Sequence, residues 1–200
     1  DQVERAYLHE DVGNALEDLY GDRVGEMETR AGTGALAVQL AWHFEEAGIT
    51  DKAIRYLHQA GERAVQLSAY QEAVAHLTRG LALLMALPDS GDTERHPVCD
   101  EQELSLQLTL GMASIGATGY GPEVERIYFR ARELSQQLGR TPELCRSVGE
   151  LSIVNYVQAE YQAARELAEE ALSLAQQTKD PLLIVLGTWH LGFVLFALGE

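Results

Sequence analysis

Small residues recur at one spacing in three segments of this chain. The segment AGITDKAIRYLHQA, residues 47 to 60, places Ala53, Leu57 and Ala60 four and three residues apart. Aligned without gaps, SAYQEAVAHLTRG and AEYQAARELAEEA place Ala73, Leu77 and Gly80, and then Ala164, Ala168 and Ala171, at the same positions. Small side chains at fixed helical spacing allow two backbones to approach closely. The recurrence therefore predicts helices that pack against one another in the same way several times.

The repeat has a measurable period. Leu110-Gly111, Leu151-Ser152 and Leu191-Gly192 recur at spacings of 41 and 40 residues, and Ala131 precedes Ala171 by 40. A period of this length is typical of stacked helix pairs. In the first half the motif returns after 20 residues, from Ala53 to Ala73. The helix at 50 to 67 is therefore expected to belong to two successive pairs.

Hydrophobic residues three and four apart predict an all-α chain, because no segment alternates as a strand would. We expect helices at about 3–20, 34–47, 50–67, 70–86, 101–117, 122–138, 141–157, 161–178 and 181–198. Segments 21–32 and 88–97 are predicted loops. The expected organisation is a terminal helix of a preceding linker module at 1–20, the first repeat helices at 34–86, and further pairs at 101–200 with the last one truncated.

Local signals mark several helix ends. Thr50 is a predicted N-cap, and Pro122, Pro142 and Pro181 occupy positions where the first turn tolerates a missing N–H donor. Four glycines are predicted to end helices with a positive φ, namely Gly48, Gly119, Gly139 and Gly199.

These residues resemble the tetratricopeptide repeat (TPR). The first pair supplies Leu40, Ala41, Phe44, Gly48, Ala53, Leu57 and Ala60; the third supplies Leu110, Gly111, Tyr128 and Ala131; the fourth supplies Leu151, Ser152, Ala164, Ala168 and Ala171. The resemblance implies an α-solenoid of antiparallel helix pairs with a right-handed superhelix. The period near 40 departs from the usual repeat of about 34 residues and implies longer helices.

A narrower resemblance covers residues 30 to 200 and is most specific from Ala41 to Ala64. The chain is similar there to the helical region that follows the ATPase module of bacterial multidomain signalling proteins. Those proteins are often fused to class III adenylate or guanylate cyclase domains and are related to large ATP-dependent transcription regulators. The resemblance implies a non-catalytic scaffold. The first residue is not Met, so we expect a piece of a longer protein.

Charge and composition disfavour several partners. Acidic residues outnumber basic ones 31 to 15, and the formal charge of −16 repels nucleic acid. We find no run of about 18 apolar residues, so no membrane partner is expected. The first residues lack the features of a secretory signal. Cys99 and Cys145 are far apart in the sequence and indicate no disulfide framework, so a reducing, cytoplasmic location is expected.

The sequence contains no strong motif for catalysis or for cofactor binding. The GxGxxA pattern at 31–37 lacks the preceding strand of a dinucleotide site, and neither GxxxxGK[ST], HExxH nor GxSxG occurs. His43, His58 and His76 are expected to be packed or hydrogen-bonded, and none of the six histidines is expected to bind a metal. No catalytic, cofactor-binding or metal-binding residue is predicted, and an enzyme is disfavoured.

The first helices of each TPR pair line a groove. By motif phase its residues here are Met112, Ile153, Tyr156, Trp189, Phe193 and Phe196. Two interpretations remain open. In the first, the stripe binds a helix or an extended segment of a protein partner or of the parent chain. In the second, Trp189, Phe193 and Phe196 pack against a helix beyond Glu200, and the end exposed without that helix is expected to dimerise. The alternative function is a small-ligand sensor that regulates an attached ATPase or transcription regulator.

Overall fold

The computed structural model describes residues 1–26, 33–87 and 97–199. Their regular structure is entirely α-helical, which confirms the predicted fold class. The helices are α1 (Gln2–Glu26), α2 (Thr33–Glu46), α3 (Thr50–Gln66), α4 (Tyr70–Met85), α5 (Pro97–Thr118), α6 (Pro122–Gln137), α7 (Thr141–Val157), α8 (Tyr161–Thr178) and α9 (Pro181–Leu198).

The chain forms two compact units, Asp1–Asp92 and Thr93–Glu200. In each unit every helix packs against the next one along the chain, and in the second unit α7 also contacts α9. Each unit is therefore a stack of antiparallel helices, as in an α-solenoid.

Two predicted loops need correction. Helix α1 continues to Glu26, so the first six residues of the loop predicted at 21–32 are helical, and residues 27–32 lie outside the described residues. Asp, Arg and Glu are compatible with a helix, and no proline interrupts this segment. Helix α5 begins at Pro97, four residues before the predicted start, because proline is tolerated at the first helical position. Residues 88–96 are not described.

The same turn closes four of the helices. At each, one residue with positive φ is followed by a residue whose N–H donates to the carbonyl five positions back, at 2.8 to 2.9 Å. The donor–acceptor pairs are Ile49–Phe44, Ala69–Ala64, Arg140–Ser135 and Glu160–Asn155. This is the Schellman arrangement, which satisfies carbonyls at the helix end.

Glycine supplies the left-handed residue at only two of these turns. Gly48 and Gly139 do so as predicted, and Gly119 and Gly199 also have positive φ, but Ser68 (φ 58°) and Ala159 (φ 64°) occupy the other two turns. No local signal in the sequence marks these two, because neither residue favours that conformation. The predicted N-cap at Thr50 is also wrong: Ile49 is the cap and makes no side-chain bond.

Close helix approach depends on small residues paired with large ones. A Cβ atom at Gly61 in α3 would lie 2.5 Å from Cγ of Leu77 in α4, and one at Gly111 in α5 would lie 2.5 Å from Cζ of Tyr128 in α6. The TPR packing positions are buried apart from the turn residue Gly48; they are Ala41, Phe44, Ala53, Leu57, Ala60, Ala73, Gly111, Ala131, Ala164 and Ala171. Missing side chains on one helix thus make room for large ones on its neighbour.

A carboxylate network joins α1 to α3 in the first unit. Oε2 of Glu17 accepts a hydrogen bond from Lys52 at 2.6 Å, and its Oε1 accepts from the Tyr56 hydroxyl at 2.6 Å. Burial raises the pKa of Glu17, but these bonds and the charges of Lys52 and Arg55 outweigh it and lower the pKa overall. Burial and the bond to Glu17 raise the pKa of Tyr56 to about 12.

A buried carboxylate is paired with a partly exposed arginine in the second unit. Glu103 in α5 is fully buried and receives two hydrogen bonds from the Arg130 guanidinium in α6, at 2.7 and 3.0 Å. The bidentate geometry compensates for the desolvation of the carboxylate. Together with Gly111 and Tyr128, this pair fixes how α5 and α6 align.

We predict that Gly111→Ala lowers the free energy of unfolding by about 2 kcal/mol, because the added methyl group overlaps the buried Tyr128 ring. Urea denaturation measures the change. Gly34→Ala is the control, since its added Cβ would lie 3.4 Å from the flexible Arg63 side chain. Tyr128→Leu should lower the free energy of unfolding by less in the Gly111→Ala protein than in the parent chain, because the smaller side chain relieves the overlap. Additive losses would contradict a steric origin.

Candidate functional site

Aromatic side chains from three helices meet in the second unit. Tyr156 lies at the end of α7, Tyr161 begins α8, and Trp189 and Phe193 are one turn apart in α9. The ring centroids of Tyr156 and Phe193 are 4.6 Å apart, those of Tyr156 and Tyr161 are 5.7 Å apart, and Trp189 stacks on Phe193 at 5.6 Å. We call these four residues the aromatic patch. Tyr161, Phe193 and Trp189 are between 38 and 54 % exposed, which is unusual for rings of this size.

The six predicted groove residues occupy four different places in the structure. Tyr156, Trp189 and Phe193 come together in the aromatic patch, and Tyr161 joins them although the sequence analysis did not select it. Met112 in α5 is exposed, and Nη2 of Arg146 in α7 lies 3.6 Å from its sulfur. Ile153 is only 4 % exposed and is a core residue, so it does not line an open groove. Phe196 is 83 % exposed, beyond the patch.

Polar residues beside Met112 were not singled out by the sequence analysis. The Tyr120 hydroxyl donates to Oε2 of Glu150 at 2.9 Å. Burial raises the pKa of Glu150 despite this bond and the nearby Arg146 charge, and burial with the Glu150 charge raises the pKa of Tyr120. Arg146 and Glu150 are four residues apart in α7, so their shared helix face was a signal available in the sequence. We call Tyr120, Arg146 and Glu150 the polar strip.

His190 in α9 is buried in an unusual environment. It is 1 % exposed, and neither ring nitrogen has a hydrogen-bond partner among the described residues. The ring lies against Gly149 of α7, where an added Cβ would be 2.7 Å from Nδ1. Burial lowers the pKa of His190 to about 4, so the ring is neutral at pH 7. The missing side chain at position 149 thus makes room for an imidazole that joins α7 to α9.

A second histidine cluster lies in the first unit. Nδ1 of His9 in α1 and Nδ1 of His43 in α2 are 3.1 Å apart, and the Trp42 ring packs against both. One nitrogen must therefore donate and the other accept. Burial, with a smaller effect of His9, lowers the pKa of His43. Within residues 1–26, 33–87 and 97–199 no group of three or more His, Cys, Asp or Glu side chains could hold a metal ion.

Helix α9 corrects one statement of the sequence analysis. Its 18 residues, Pro181–Leu198, have a mean hydropathy of 2.0, and by length and composition alone it could cross a membrane. The chain therefore does contain one sufficiently apolar run. In the structure 22 % of this window is buried, and the helix packs against α7 and α8.

Comparison with solved structures supports a TPR-like helical-repeat fold. The apo form of RapI aligns with a TM-score of 0.59 and 14 % sequence identity, over 96 % of this chain and 56 % of RapI. The chain thus spans little more than half the length of RapI. A crystal structure of nearly identical TPR-like repeats of a putative kinesin light chain from Podosopora anserina aligns with a TM-score of 0.42 and 16 % identity, over 89 % and 94 % of the two chains. Neither family models nor curated proteins match the sequence.

We predict that His190 makes the second unit sensitive to acid. The unfolded histidine has a pKa of about 6.5 and the folded one about 4, so only the unfolded chain binds the proton between these values. Stability is complete above pH 6.5 and falls as the pH is lowered toward 4, by about 3 kcal/mol.

Urea denaturation between pH 7.5 and 4.5 measures this loss, with Trp189 fluorescence as the signal in a Trp42→Phe background. His190→Leu should flatten the curve. A parallel decline of the parent and His190→Leu proteins would show that other groups cause the acid sensitivity.

Proposed function

We propose that this chain is a non-catalytic scaffold that docks a protein segment on the aromatic patch. The observation that carries the proposal is the exposure of Tyr161 of α8 and of Trp189 and Phe193 of α9 in one cluster around Tyr156 of α7. Aromatic rings give a large contact area at a low cost in conformational entropy, and they are enriched where proteins bind one another. Helices that are already packed hold the rings in place before a partner arrives.

The polar strip adds a chemical preference. Glu150 is partly desolvated, and its carboxylate would gain from a cationic group on a partner. The net charge of −16 also steers basic segments toward the chain. The partner that fits is a helix or extended segment with aromatic or aliphatic anchors for the patch and a basic residue for Glu150.

The resemblance to signalling ATPases supplies a context for this scaffold. In that context the docked segment belongs to a regulatory partner or to another domain of the parent chain, in the cytoplasm. Both cysteines are free, Cys145 buried and Cys99 partly so, which is compatible with a reducing compartment.

The second candidate is a small-ligand sensor, and the polar strip is the observation that favours it. Tyr120, Glu150 and Arg146 present a hydroxyl, a carboxylate and a guanidinium near one another. A site of this kind would suit a small molecule with both donors and acceptors. The bound ligand would then influence the attached ATPase or transcription regulator.

The two candidates differ in which variants abolish binding. We would select peptides from a displayed library against the immobilised chain and measure their affinity by fluorescence polarisation. Tyr156→Ala with Met112→Ala should weaken binding about tenfold or more, since both remove apolar contact. The matched control is Tyr7→Ala with Met85→Ala, which removes the same exposed residue types from the first unit.

An equal loss of peptide affinity in both double variants would contradict a binding site on the second unit. Failure to select any peptide would contradict the scaffold. In that case a melting-temperature screen of small molecules should find a ligand whose effect disappears in Glu150→Gln if the sensor is correct.

A further inference from the structure

Arg146 of α7 is an exposed arginine that forms no ion pair with any described residue. Nη2 of its guanidinium lies 3.6 Å from the sulfur of Met112, which is a weak hydrogen-bond acceptor. Four other arginines of the second unit bind carboxylates, namely Arg130, Arg132, Arg140 and Arg165. Arg146 therefore has unused N–H donors, although the chain is rich in carboxylates.

Glu150 lies one turn further along α7 but does not pair with Arg146. Oε2 of Glu150 accepts a hydrogen bond from the Tyr120 hydroxyl at 2.9 Å, so the carboxylate is directed toward the turn between α5 and α6. The Arg146 charge lowers the pKa of Glu150, but burial outweighs it and raises the pKa overall. The polar strip thus holds a positive and a negative group near each other, without a direct bond between them.

The chemistry of Arg146 selects a carboxylate as its partner. A guanidinium presents a planar fork of donors that matches both carboxylate oxygens, and such charge-assisted bonds are about twice as strong as neutral ones. The pair of Arg130 and Glu103 shows this geometry inside the same unit, with bonds of 2.7 and 3.0 Å. Arg146 can hold a carboxylate from a docked segment in the same way.

The net charge of the chain limits which segments can bring that carboxylate. At −16, the chain repels a purely acidic segment before it reaches Arg146. A segment that also carries a basic residue avoids this repulsion, and its cation can approach Glu150. The partner is therefore expected to carry one residue of each sign, matched to the polar strip.

Helix α7 carries Arg146 and Glu150 of the polar strip and Tyr156 of the aromatic patch, so it sets the order of the partner's residues. With a rise of about 1.5 Å per residue, Glu150 lies about 6 Å along the helix axis from Arg146, and Tyr156 lies about 9 Å further. An extended segment along α7 advances about 3.3 Å per residue, so its acidic and basic residues are about two positions apart. Its apolar anchor follows about three positions beyond the basic residue.

The carboxylate is expected to come from a side chain and not from the end of the segment. Pro142, one turn before Arg146, is exposed, so the accessible surface of α7 continues beyond the guanidinium. A segment that lies along α7 can therefore extend past Arg146 in that direction.

We propose that the docked segment carries an Asp or Glu side chain that binds Arg146, with its basic residue placed between that acid and the apolar anchor. The inference rests on the docking function proposed above and adds Arg146 as the residue that selects the acidic position. Arg146 determines the charge specificity, whereas the aromatic patch supplies apolar contact.

The test is a reversal of charge on both sides of the contact. The peptide of highest affinity from the displayed library is synthesised with an amidated C-terminus, which removes the terminal carboxylate, and its affinity is measured by fluorescence polarisation. Replacing its acidic residue by alanine should weaken binding to the parent chain about tenfold, because a charge-assisted hydrogen bond is lost. Arg146→Glu should weaken binding of the acidic peptide by at least that factor. A peptide with lysine at the acidic position should bind Arg146→Glu more tightly than it binds the parent chain.

Arg126→Glu is the matched control. Arg126 of α6 is also exposed and forms no ion pair with a described residue, and its substitution changes the net charge by the same amount. The affinity of either peptide should change by less than about twofold, because Arg126 lies outside the polar strip and salt screens its charge. Both variants replace exposed side chains, so both should keep the melting temperature of the parent chain.

Four results would overturn the proposal. The selected peptides could lack an acidic residue at the expected position; binding could require the free C-terminus; the lysine peptide could fail to recover affinity for Arg146→Glu; or Arg126→Glu could weaken the acidic peptide as much as Arg146→Glu does, which would assign the effect to net charge. A peptide that requires Tyr156 but is insensitive to Arg146→Glu would overturn this inference alone and leave the docking function intact. If no peptide is selected, both fail.

Discussion

The close approach of paired helices is the constraint on which the rest of this structure depends. It requires a small residue on one helix wherever its partner helix carries a large one, as at Gly61 with Leu77 and Gly111 with Tyr128. The large residue is then held on all sides, and its position sets the alignment of the pair. The short left-handed turns add a second constraint, because they leave little freedom in how one helix enters the next. The stack is thereby fixed by geometry more than by the amount of apolar surface.

The same packing sets the position of the aromatic patch. Gly149 admits the ring of His190 between α7 and α9, and this contact holds α9 where Phe193 meets Tyr156. Among the described residues the imidazole of His190 has no hydrogen-bond partner, so its burial costs the hydration of both nitrogens without a compensating bond. A leucine of similar size would avoid that cost. The aromatic patch is thus positioned by a residue that weakens the unit in acid, so the arrangement of the patch and the stability of its support are coupled.

Sequence reasoning reached the fold but only part of the site. Periodicity and small-residue spacing predict all nine helices of the described ranges, since both are imposed by the packing itself. The sequence did not predict the left-handed φ of Ser68 and Ala159, because it is imposed by the packing of the helices on either side of each turn and not by the residue type. The site was harder to predict because its parts lie on different helices. Motif phase selected Tyr156 and Phe193, but it could not show that Ile153 is buried or that Tyr120 reaches Glu150.

Helix α9 shows why periodicity says more than hydropathy in a repeat protein. Helix α9 packs on one side against α7 and α8, although apolar residues cover most of its circumference and give it a mean hydropathy of 2.0. The two glycines of α9 lie on opposite sides of the helix: Gly187 lies against the backbone of Leu172, whereas Gly192 lies in the exposed row between Trp189 and Phe196. Among helical glycines whose surroundings are described, Gly192 alone has no atom within 4 Å of an added Cβ. Where helices pair inside the second unit, a large side chain fills the opening beside a glycine, as Tyr128 does at Gly111 and His190 does at Gly149.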